Sequence, residues 1–252
     1  MPQTRHHIAL IIPALNEAES IGRQLGEIPA GLLAQTIVVD NGSSDSTAEV
    51  ARRSGAEVVH EPRRGYGSAC LAGIAKLRPD ITAVLFLDAD LSHAPEDVAK
   101  VVRAFESGDW DLVIGSRVLG QAEPGALTPV QRFGNWLTTR LISWIWGATF
   151  TDLGPLRIVS VEALRRLEMR DPDFGWTVEM QVNAARLGMR FAEIPVAYRR
   201  RKFGESKISG TIVGSARAGI KILWTVFCAW RRPSRPPMAP AQGARLDTKD
   251  KS

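Results

Sequence analysis

The first half of the chain alternates short runs of β-branched apolar residues with stretches of helical periodicity. The runs predict strands at residues 7–12, 36–40, 56–60, 82–88 and 111–115. The stretches between them predict helices at 17–27, 46–54, 67–76 and 95–106. Parallel strands joined by covering helices have this pattern. The sequence therefore predicts an α/β fold with a doubly wound, mostly parallel sheet, whose ligands bind beyond the carboxyl ends of the strands.

The second half is less regular. It predicts helices at 129–148, 161–167 and 177–187, a break at 151–155, a strand at 190–196 and a last, amphipathic helix at 209–230. A chain of 252 residues with 44% hydrophobic residues has enough apolar side chains for one substantial core. We therefore expect one domain over residues 1–230, with halves at about 7–120 and 121–208. The polar composition of residues 231–252 predicts a disordered tail.

Two carboxylates follow the fourth predicted strand. Asp88 and Asp90 are separated only by the small residue Ala89. At the exit of a strand, such a pair can converge on a hard divalent cation, Mg²⁺ or Mn²⁺, that also binds diphosphate oxygens. In the alternative interpretation, Asp88 only ends the strand and Asp90 caps a turn.

Polar side chains also follow the first two strands. Asp40 ends the second strand before a turn rich in small hydroxyl residues, where a carboxylate can accept hydrogen bonds from a nucleobase. Glu17 begins the first helix after Pro13 and Asn16, and either caps that helix or contacts a ribose. The turn at 65–67 can bind phosphate through its N–H groups, but we favour close backbone packing as the reason for its glycines.

These three strand ends, in this order and at these separations, resemble the nucleotide-sugar domain of the inverting family-two glycosyltransferases, which have the A-type fold. The Val-Ile-Gly-Ser-Arg segment at 113–117 and the basic loop at 199–207 are similar to segments of the polyprenyl-phosphate sugar transferases typified by dolichyl-phosphate mannose synthase. The resemblance covers about residues 8–224. It implies transfer of a hexose from a GDP- or UDP-sugar to a polyprenyl phosphate with inversion. Residues 7–120 then form the nucleotide-sugar half, and 121–208 the acceptor half.

The same resemblance implies roles for individual residues. The nucleoside is lined by Pro13, Leu15, Glu17, Val38 and Asp40. The metal and the donor diphosphate are held by Asp88, Ala89, Asp90 and Ser92, and phosphates are faced by Arg117, Arg201 and Lys207. Ser92 stands where these enzymes commonly have Gln, and its hydroxyl is a shorter and weaker ligand. We take Asp90, Arg117 and Asp152 as the catalytic residues.

The role of Asp152 depends on the acceptor. A sugar hydroxyl has to lose its proton to a base, and Asp152 is the first candidate for that base. A phosphate acceptor is largely ionised near neutral pH, so it needs positioning rather than a base. Asp152 would then orient the sugar or a cationic side chain.

The tryptophans at 136, 144 and 146, and the apolar stripe of the last helix, fit a membrane surface, although core packing is the alternative. Net charge +5 suits an anionic membrane or a phosphorylated substrate, and no nucleic-acid motif is present, so no nucleic-acid partner is expected. The N-terminus has no signal-peptide pattern, and Cys70 and Cys228 fit a reducing compartment. We expect a cytoplasmic protein, peripheral at the inner face of the membrane.

Two other functions remain open from the sequence. One is a soluble glycosyltransferase that uses a glycan or small-molecule hydroxyl. The other is a non-catalytic protein that binds nucleotide sugars or serves as a membrane scaffold.

Overall fold

The computed structural model describes residues 6–201, 212–231 and 243–246. Lys207 lies outside these ranges. The strands are β1 (Ile8–Ala14), β2 (Gln35–Asp40), β3 (Glu57–His60), β4 (Ala83–Phe86), β5 (Leu112–Ser116), β6 (Arg157–Ser160), β7 (Phe191–Pro195) and β8 (Gly243–Arg245). The helices are α1 (Ala18–Gly26), α2 (Thr47–Arg53), α3 (Tyr66–Ile74), α4 (Pro95–Glu106), α5 (Pro129–Trp146), α6 (Val161–Leu167), α7 (Trp176–Arg186) and α8 (Ile212–Arg231).

The strands form one eight-stranded sheet in the order β3-β2-β1-β4-β6-β5-β7-β8. All neighbouring pairs are parallel except those of β6, which is antiparallel to β4 and β5. The prediction of a doubly wound, mostly parallel α/β sheet is therefore confirmed. The last predicted helix is present as α8, while its amphipathic character stays a prediction over its first half.

Successive strand residues face opposite layers of the core. Ile11 packs in the layer that contains Trp176, whereas Leu10 and Ile12 pack in the layer that contains Phe105 of α4. Both faces of the central strands are buried, as expected for a sheet with helices on both sides. The polar groups that end these strands therefore lie at one edge of the sheet, because the faces are occupied by the core.

β6 was not predicted, because its four residues begin with an arginine and follow an irregular segment. Arg157 is fully buried. Its guanidinium donates to the carbonyls of Gly154 (3.1 Å) and Thr177 (3.0 Å), and burial lowers its pKa to about 10. Since β6 is antiparallel, Arg157 lies opposite Phe86 in the register with β4. The preceding loop, which contains Asp152, is thereby brought to the carboxyl end of β4.

A strand, β8, lies within residues 231–252, which were predicted to be disordered. Gly243–Arg245 pairs in parallel with β7, and the N–H of Leu246 donates to the carbonyl of Glu193 at 3.1 Å. A side chain at Gly243 would come within 2.5 Å of the Phe191 ring. An edge strand is held by backbone hydrogen bonds and by close packing on its neighbour rather than by an apolar run. The composition of the tail therefore did not reveal this strand.

Candidate active site

Asp40 lies at the carboxyl end of β2 with only 7% of its surface exposed. It accepts a hydrogen bond from the Ser43 N–H (2.9 Å) and lies 3.2 Å from Nδ1 of His60. Burial alone would raise the pKa of Asp40, but the bonds to Ser43 and His60 hold it below its ordinary value. The carboxylate is therefore ionised at neutral pH and can accept a further hydrogen bond from a nucleobase.

Asn16 does not cap α1. It has a left-handed backbone (φ 54°), its N–H donates to Ser43 Oγ (2.9 Å), and its side-chain oxygen accepts from the Ser44 N–H (2.8 Å). These bonds join the turn after β1 to the turn after β2. The two strand ends predicted to contact the nucleoside thus form one connected unit.

Glu17 and Arg201, predicted separately, are brought together. Glu17 occupies the N-cap position of α1, but its side chain makes no capping bond there. Instead the carboxylate, 7% exposed, accepts from the Ser20 hydroxyl (2.9 Å) and pairs with the Arg201 guanidinium. The beginning of the basic loop therefore lies next to the turn after β1, which is predicted to contact the nucleoside.

The other predicted nucleoside and donor contacts differ in accessibility. Pro13 and Leu15 are partly exposed. Val38 has no exposed surface and packs in the core, so its side chain cannot line the nucleoside as predicted. Ala89 is only 3% exposed, so it is a buried spacer between the two carboxylates.

Asp88 and Asp90 are both partly exposed just beyond β4. Burial, together with the charge of Asp90, raises the pKa of Asp88, while Tyr66 and Arg117 act in the opposite direction. Two repelling carboxylates at an accessible strand end fit a divalent cation, because the cation removes the repulsion. In the described part of the chain no three His, Cys, Asp or Glu side chains form a metal site by themselves. A metal held here would need further oxygens from a ligand such as a diphosphate.

Ser92 has a different contact from the one predicted. It is 1% exposed, and its hydroxyl and its N–H both donate to Oδ1 of Asp90, the latter at 3.1 Å. A buried donor that holds a carboxylate oxygen orients that carboxylate. Metal ligation by Ser92 stays a prediction.

The glycines at the start of α3 serve close packing, as we favoured. A Cβ atom at Gly67 would lie 1.9 Å from the carbonyl oxygen of Asp171, and one at Gly65 would lie 2.2 Å from that of Pro172. The N–H of Ser68 donates to the same Pro172 carbonyl (2.8 Å). This N–H group at the N-terminus of α3 is therefore already used by the chain and is not left for a phosphate.

Arg117 directly follows β5, and Asp152 lies in the loop before β6. The two side chains form a buried ion pair. Oδ2 of Asp152 accepts from the Arg117 N–H (2.7 Å) and Nε (2.8 Å), and Oδ1 accepts from a terminal guanidinium nitrogen (2.9 Å). The side chains are 13% and 1% exposed. Burial opposes both charges, but their attraction outweighs it, so the pKa of Asp152 is lowered and that of Arg117 is raised.

This geometry argues against Asp152 as a general base. Both of its oxygens are engaged by Arg117, it has no exposed surface, and its lowered pKa disfavours proton uptake. The other predicted role, orientation of a cationic side chain, is the one that the structure supports.

Three residues near this pair were missed. Glu193, 1% exposed, accepts from the N–H groups of Thr151 (2.9 Å) and Asp152 (3.2 Å), and burial raises its pKa to about 7. The ring of Tyr198 lies 5.0 Å from the Arg117 guanidinium and 5.2 Å from the buried ring of His93. A glutamate within the apolar strand pattern of β7 was a usable signal for Glu193, whereas nothing local marked His93 or Tyr198.

The chain was compared with known proteins. The family model described as glycosyl transferase family 2 matches residues 9–168. An uncharacterized glycosyltransferase of Mycobacterium tuberculosis is 40% identical over 87% of this chain and 97% of its own length. The undecaprenyl-phosphate mannosyltransferase of Micrococcus luteus is 32% identical over 88% and 96%. The dolichyl-phosphate hexose transferase of Haloferax volcanii is 32% identical over 83% and 90%.

Among solved structures, glucosyl-3-phosphoglycerate synthase of Mycobacterium tuberculosis, in complex with Mn²⁺, UDP and glucosyl-3-phosphoglycerate, superposes with a TM-score of 0.69. That match covers 91% of this chain and 82% of the synthase at 21% identity. At this identity the similarity shows the fold alone, and it confirms the predicted A-type fold.

Proposed function

The chain belongs to glycosyl transferase family 2, and from this membership we propose that it transfers a hexose from a GDP- or UDP-sugar to a polyprenyl phosphate with inversion. Two relatives of nearly the same length are named as transferases of lipid phosphates, which supports this choice of acceptor. We place the enzyme in the cytoplasm, peripheral at the inner face of the membrane.

In the donor half, Asp40 accepts a hydrogen bond from the nucleobase, and Pro13, Leu15 and Glu17 border the nucleoside. Asp88 and Asp90 hold Mg²⁺ or Mn²⁺, and their mutual repulsion in its absence supports this assignment. The cation supplies charge neutralisation for the departing diphosphate. Ser92 contributes by fixing the orientation of Asp90.

The observation that carries the choice of acceptor is the engagement of Asp152 by Arg117. A hydroxyl acceptor requires a base, and the residue predicted for that role is buried and paired through both oxygens. A phosphate oxygen attacks without prior proton removal. It forms a bond to the anomeric carbon on the face opposite the leaving group, while the bond from that carbon to the diphosphate breaks.

Arg117 then acts as a fixed cation at the acceptor side. Its guanidinium keeps a set position because Asp152 and the Tyr198 ring hold it, so little reorganisation is needed as charge moves in the transition state. Arg201, at the start of the basic loop, supplies a second cation for the phosphates of donor or acceptor, and the resemblance assigns the same role to Lys207.

The test is sugar transfer from radiolabelled UDP- and GDP-hexoses to polyprenyl phosphate in detergent, with Mn²⁺ or Mg²⁺. Organic-soluble label is expected with the wild-type chain and is expected to fall at least a hundredfold in Asp90→Asn. Asp80→Asn is the matched control, because Asp80 is an exposed carboxylate near the opposite end of β4. It should leave transfer unchanged.

Other results would select other functions. Label that enters only a glycan or small-molecule hydroxyl would overturn the lipid acceptor and leave a soluble glycosyltransferase. Donor hydrolysis that depends on Asp90 without any labelled lipid would likewise reject the acceptor. Binding of donor without transfer or hydrolysis under any condition would indicate a non-catalytic protein.

A further inference from the structure

Large apolar side chains are exposed on two neighbouring helices. Of the ten such side chains found exposed in the described part of the chain, eight lie on α5 or α8, which pack against each other. An accumulation of this kind on adjacent elements marks an interaction site more often than scattered exposure does.

On α5 the exposed residues form one stripe. Phe133, Trp136, Arg140 and Trp144 follow one another at intervals of three or four residues, so they share a face of the helix. Trp144 is 84% exposed, whereas Ile142 on the other side is fully buried. Trp146, the third tryptophan of this helix, packs against the core. The stripe is therefore not a continuation of the core.

The described side chains of α8 repeat this pattern. Leu223, Trp224, Phe227 and Trp230 are between 41% and 60% exposed, while Val226 and Ala229 face inward. Neighbouring rings of the stripe lie 5.8 and 6.1 Å apart. These four residues, together with Phe133, Trp136 and Trp144, are called the aromatic face below.

The charges on α5 and α8 indicate whether a second copy of the chain or a bilayer covers the aromatic face. Neither α5 nor α8 contains an acidic residue, and the exposed Arg140 and Arg231 lie among the aromatic rings, with the Arg231 guanidinium 5.8 Å from the Phe227 ring. A second copy joined by a two-fold axis would bring these like charges together. An anionic bilayer surface offers phosphates to the arginines and an apolar boundary to the rings.

We propose that the aromatic face lies on the surface of an anionic bilayer and is the part of the chain that brings the active site to its lipid acceptor. The inference rests on the proposed function, since it names the surface by which a lipid phosphate is reached. No helix in residues 6–201 or 212–231 is long and apolar enough to cross a membrane.

Side-chain contacts connect the aromatic face to the site. Asn135 donates to the carbonyl of Thr151 (3.1 Å) and accepts from the N–H of Leu153 (2.8 Å), which fixes both sides of Asp152. On α8, Lys221 pairs with Asp171 (2.9 Å), in the loop packed against the turn at 65–67. A bilayer in contact with the two helices is therefore held at a set position relative to the site.

The test is binding of the full chain to vesicles that contain phosphatidylglycerol and brominated phosphatidylcholine, followed by sedimentation and by quenching of tryptophan fluorescence. Bromine on the acyl chains quenches only rings that enter the bilayer. The double variant Trp144→Ser/Trp224→Ser should weaken binding by roughly tenfold for each ring lost. Arg140→Gln should weaken it about fivefold. Arg52→Gln, an exposed arginine on α2, is the matched charge control and should have no effect.

Absence of quenching in the wild type, or equal binding by the double variant, would overturn the proposal. So would light scattering that shows a dimer converted to a monomer by the double variant, because the face would then join two copies. Transfer to water-dispersed farnesyl phosphate separates this inference from the proposed function. Retained transfer without vesicle binding rejects only the aromatic face, whereas vesicle binding without transfer rejects only the function.

Discussion

Arg117 and Asp152 illustrate, at the scale of single residues, how a buried charge pair can be structural and functional together. Each side chain is nearly removed from solvent and is compensated mainly by the other. Removal of one partner from such a pair leaves an uncompensated buried charge, which costs more than the pair itself contributes.

Asp152→Asn keeps the shape of the side chain but removes its charge. We expect the free energy of unfolding, measured with urea at pH 7, to fall by about 3 kcal/mol. Sugar transfer should fall more than tenfold, because the guanidinium loses its fixed position. The exposed pair of Arg78 with Asp80 provides the comparison, and Asp80→Asn should leave the unfolding free energy nearly unchanged. A stability unchanged by Asp152→Asn would show that the pair is not buried in solution.

His93 makes a second prediction at this scale. It is 2% exposed, and within the described residues neither ring nitrogen has a hydrogen-bond partner. Burial lowers the pKa of His93 to about 3, and the charge of Arg117 acts in the same direction. The unfolded chain therefore takes up a proton at this residue below about pH 6.5, while the native state stays neutral.

The contribution of His93 to stability is thus present above pH 6.5 and is lost as the pH falls toward 3. Between pH 7 and pH 5 the wild type should lose about 2 kcal/mol more than His93→Phe, which has no proton to gain. Denaturant unfolding of both proteins at the two pH values gives this difference directly. Equal losses would mean that the ring is protonated or solvated in the native state.

At the scale of secondary-structure elements, the donor side depends on the contact between the start of α3 and residues 171–173. The absence of side chains at Gly65 and Gly67 allows the two backbones to touch. Tyr66, between these glycines, acts on the pKa of Asp88. The start of α3 therefore lies close to the strand end that is proposed to hold the metal.

Gly67→Ala should force the loop away from α3, because the new Cβ would overlap a backbone oxygen rather than a flexible side chain. We expect a loss of about 1–3 kcal/mol in unfolding free energy and weaker donor binding by calorimetry. Gly26→Ala is the control, since its Cβ would meet nothing within 4 Å and alanine favours a helix. If the two variants behave alike, the close contact does not exist in solution.

For the whole molecule, the decisive arrangement is one sheet edge at which acidic and basic groups lie near each other. Asp88 and Asp90 form the acidic part, and Arg117 lies across the antiparallel β6 from them. A nucleoside diphosphate with a divalent cation carries charges that complement both parts. Its binding should therefore stabilise the folded chain as a unit.

Mn²⁺ with UDP or GDP at about one hundred times its dissociation constant should raise the melting temperature by roughly 5–10 °C. When UDP and GDP are compared at one equal concentration, the nucleotide that gives the larger shift binds more tightly and indicates the donor base. Asp90→Asn should lose most of the shift, and Asp80→Asn should keep it. A shift that both variants retain would place the nucleotide elsewhere on the molecule.

The sequence by itself determined the class of fold and showed which polar residues follow the ends of the strands. Periodicity located β1 to β5 and β7, and the polar residues after β1, β2 and β4 followed from the rule that parallel strands present their carboxyl ends at one edge. These features are local, because a strand and the residue that follows it are adjacent in the chain.

Only the tertiary structure decided which distant charged groups come together. The antiparallel insertion of β6, the burial of Arg157 and the pairing of Asp152 with Arg117 all join residues that are distant in sequence, and so does the contact of Glu17 with Arg201. No local pattern encodes such contacts, since the energy of a buried charge depends on which partner the fold places beside it. The burial of Val38 likewise depends on the tertiary structure: its position in the sequence predicted a nucleoside contact, but its side chain lies in the core.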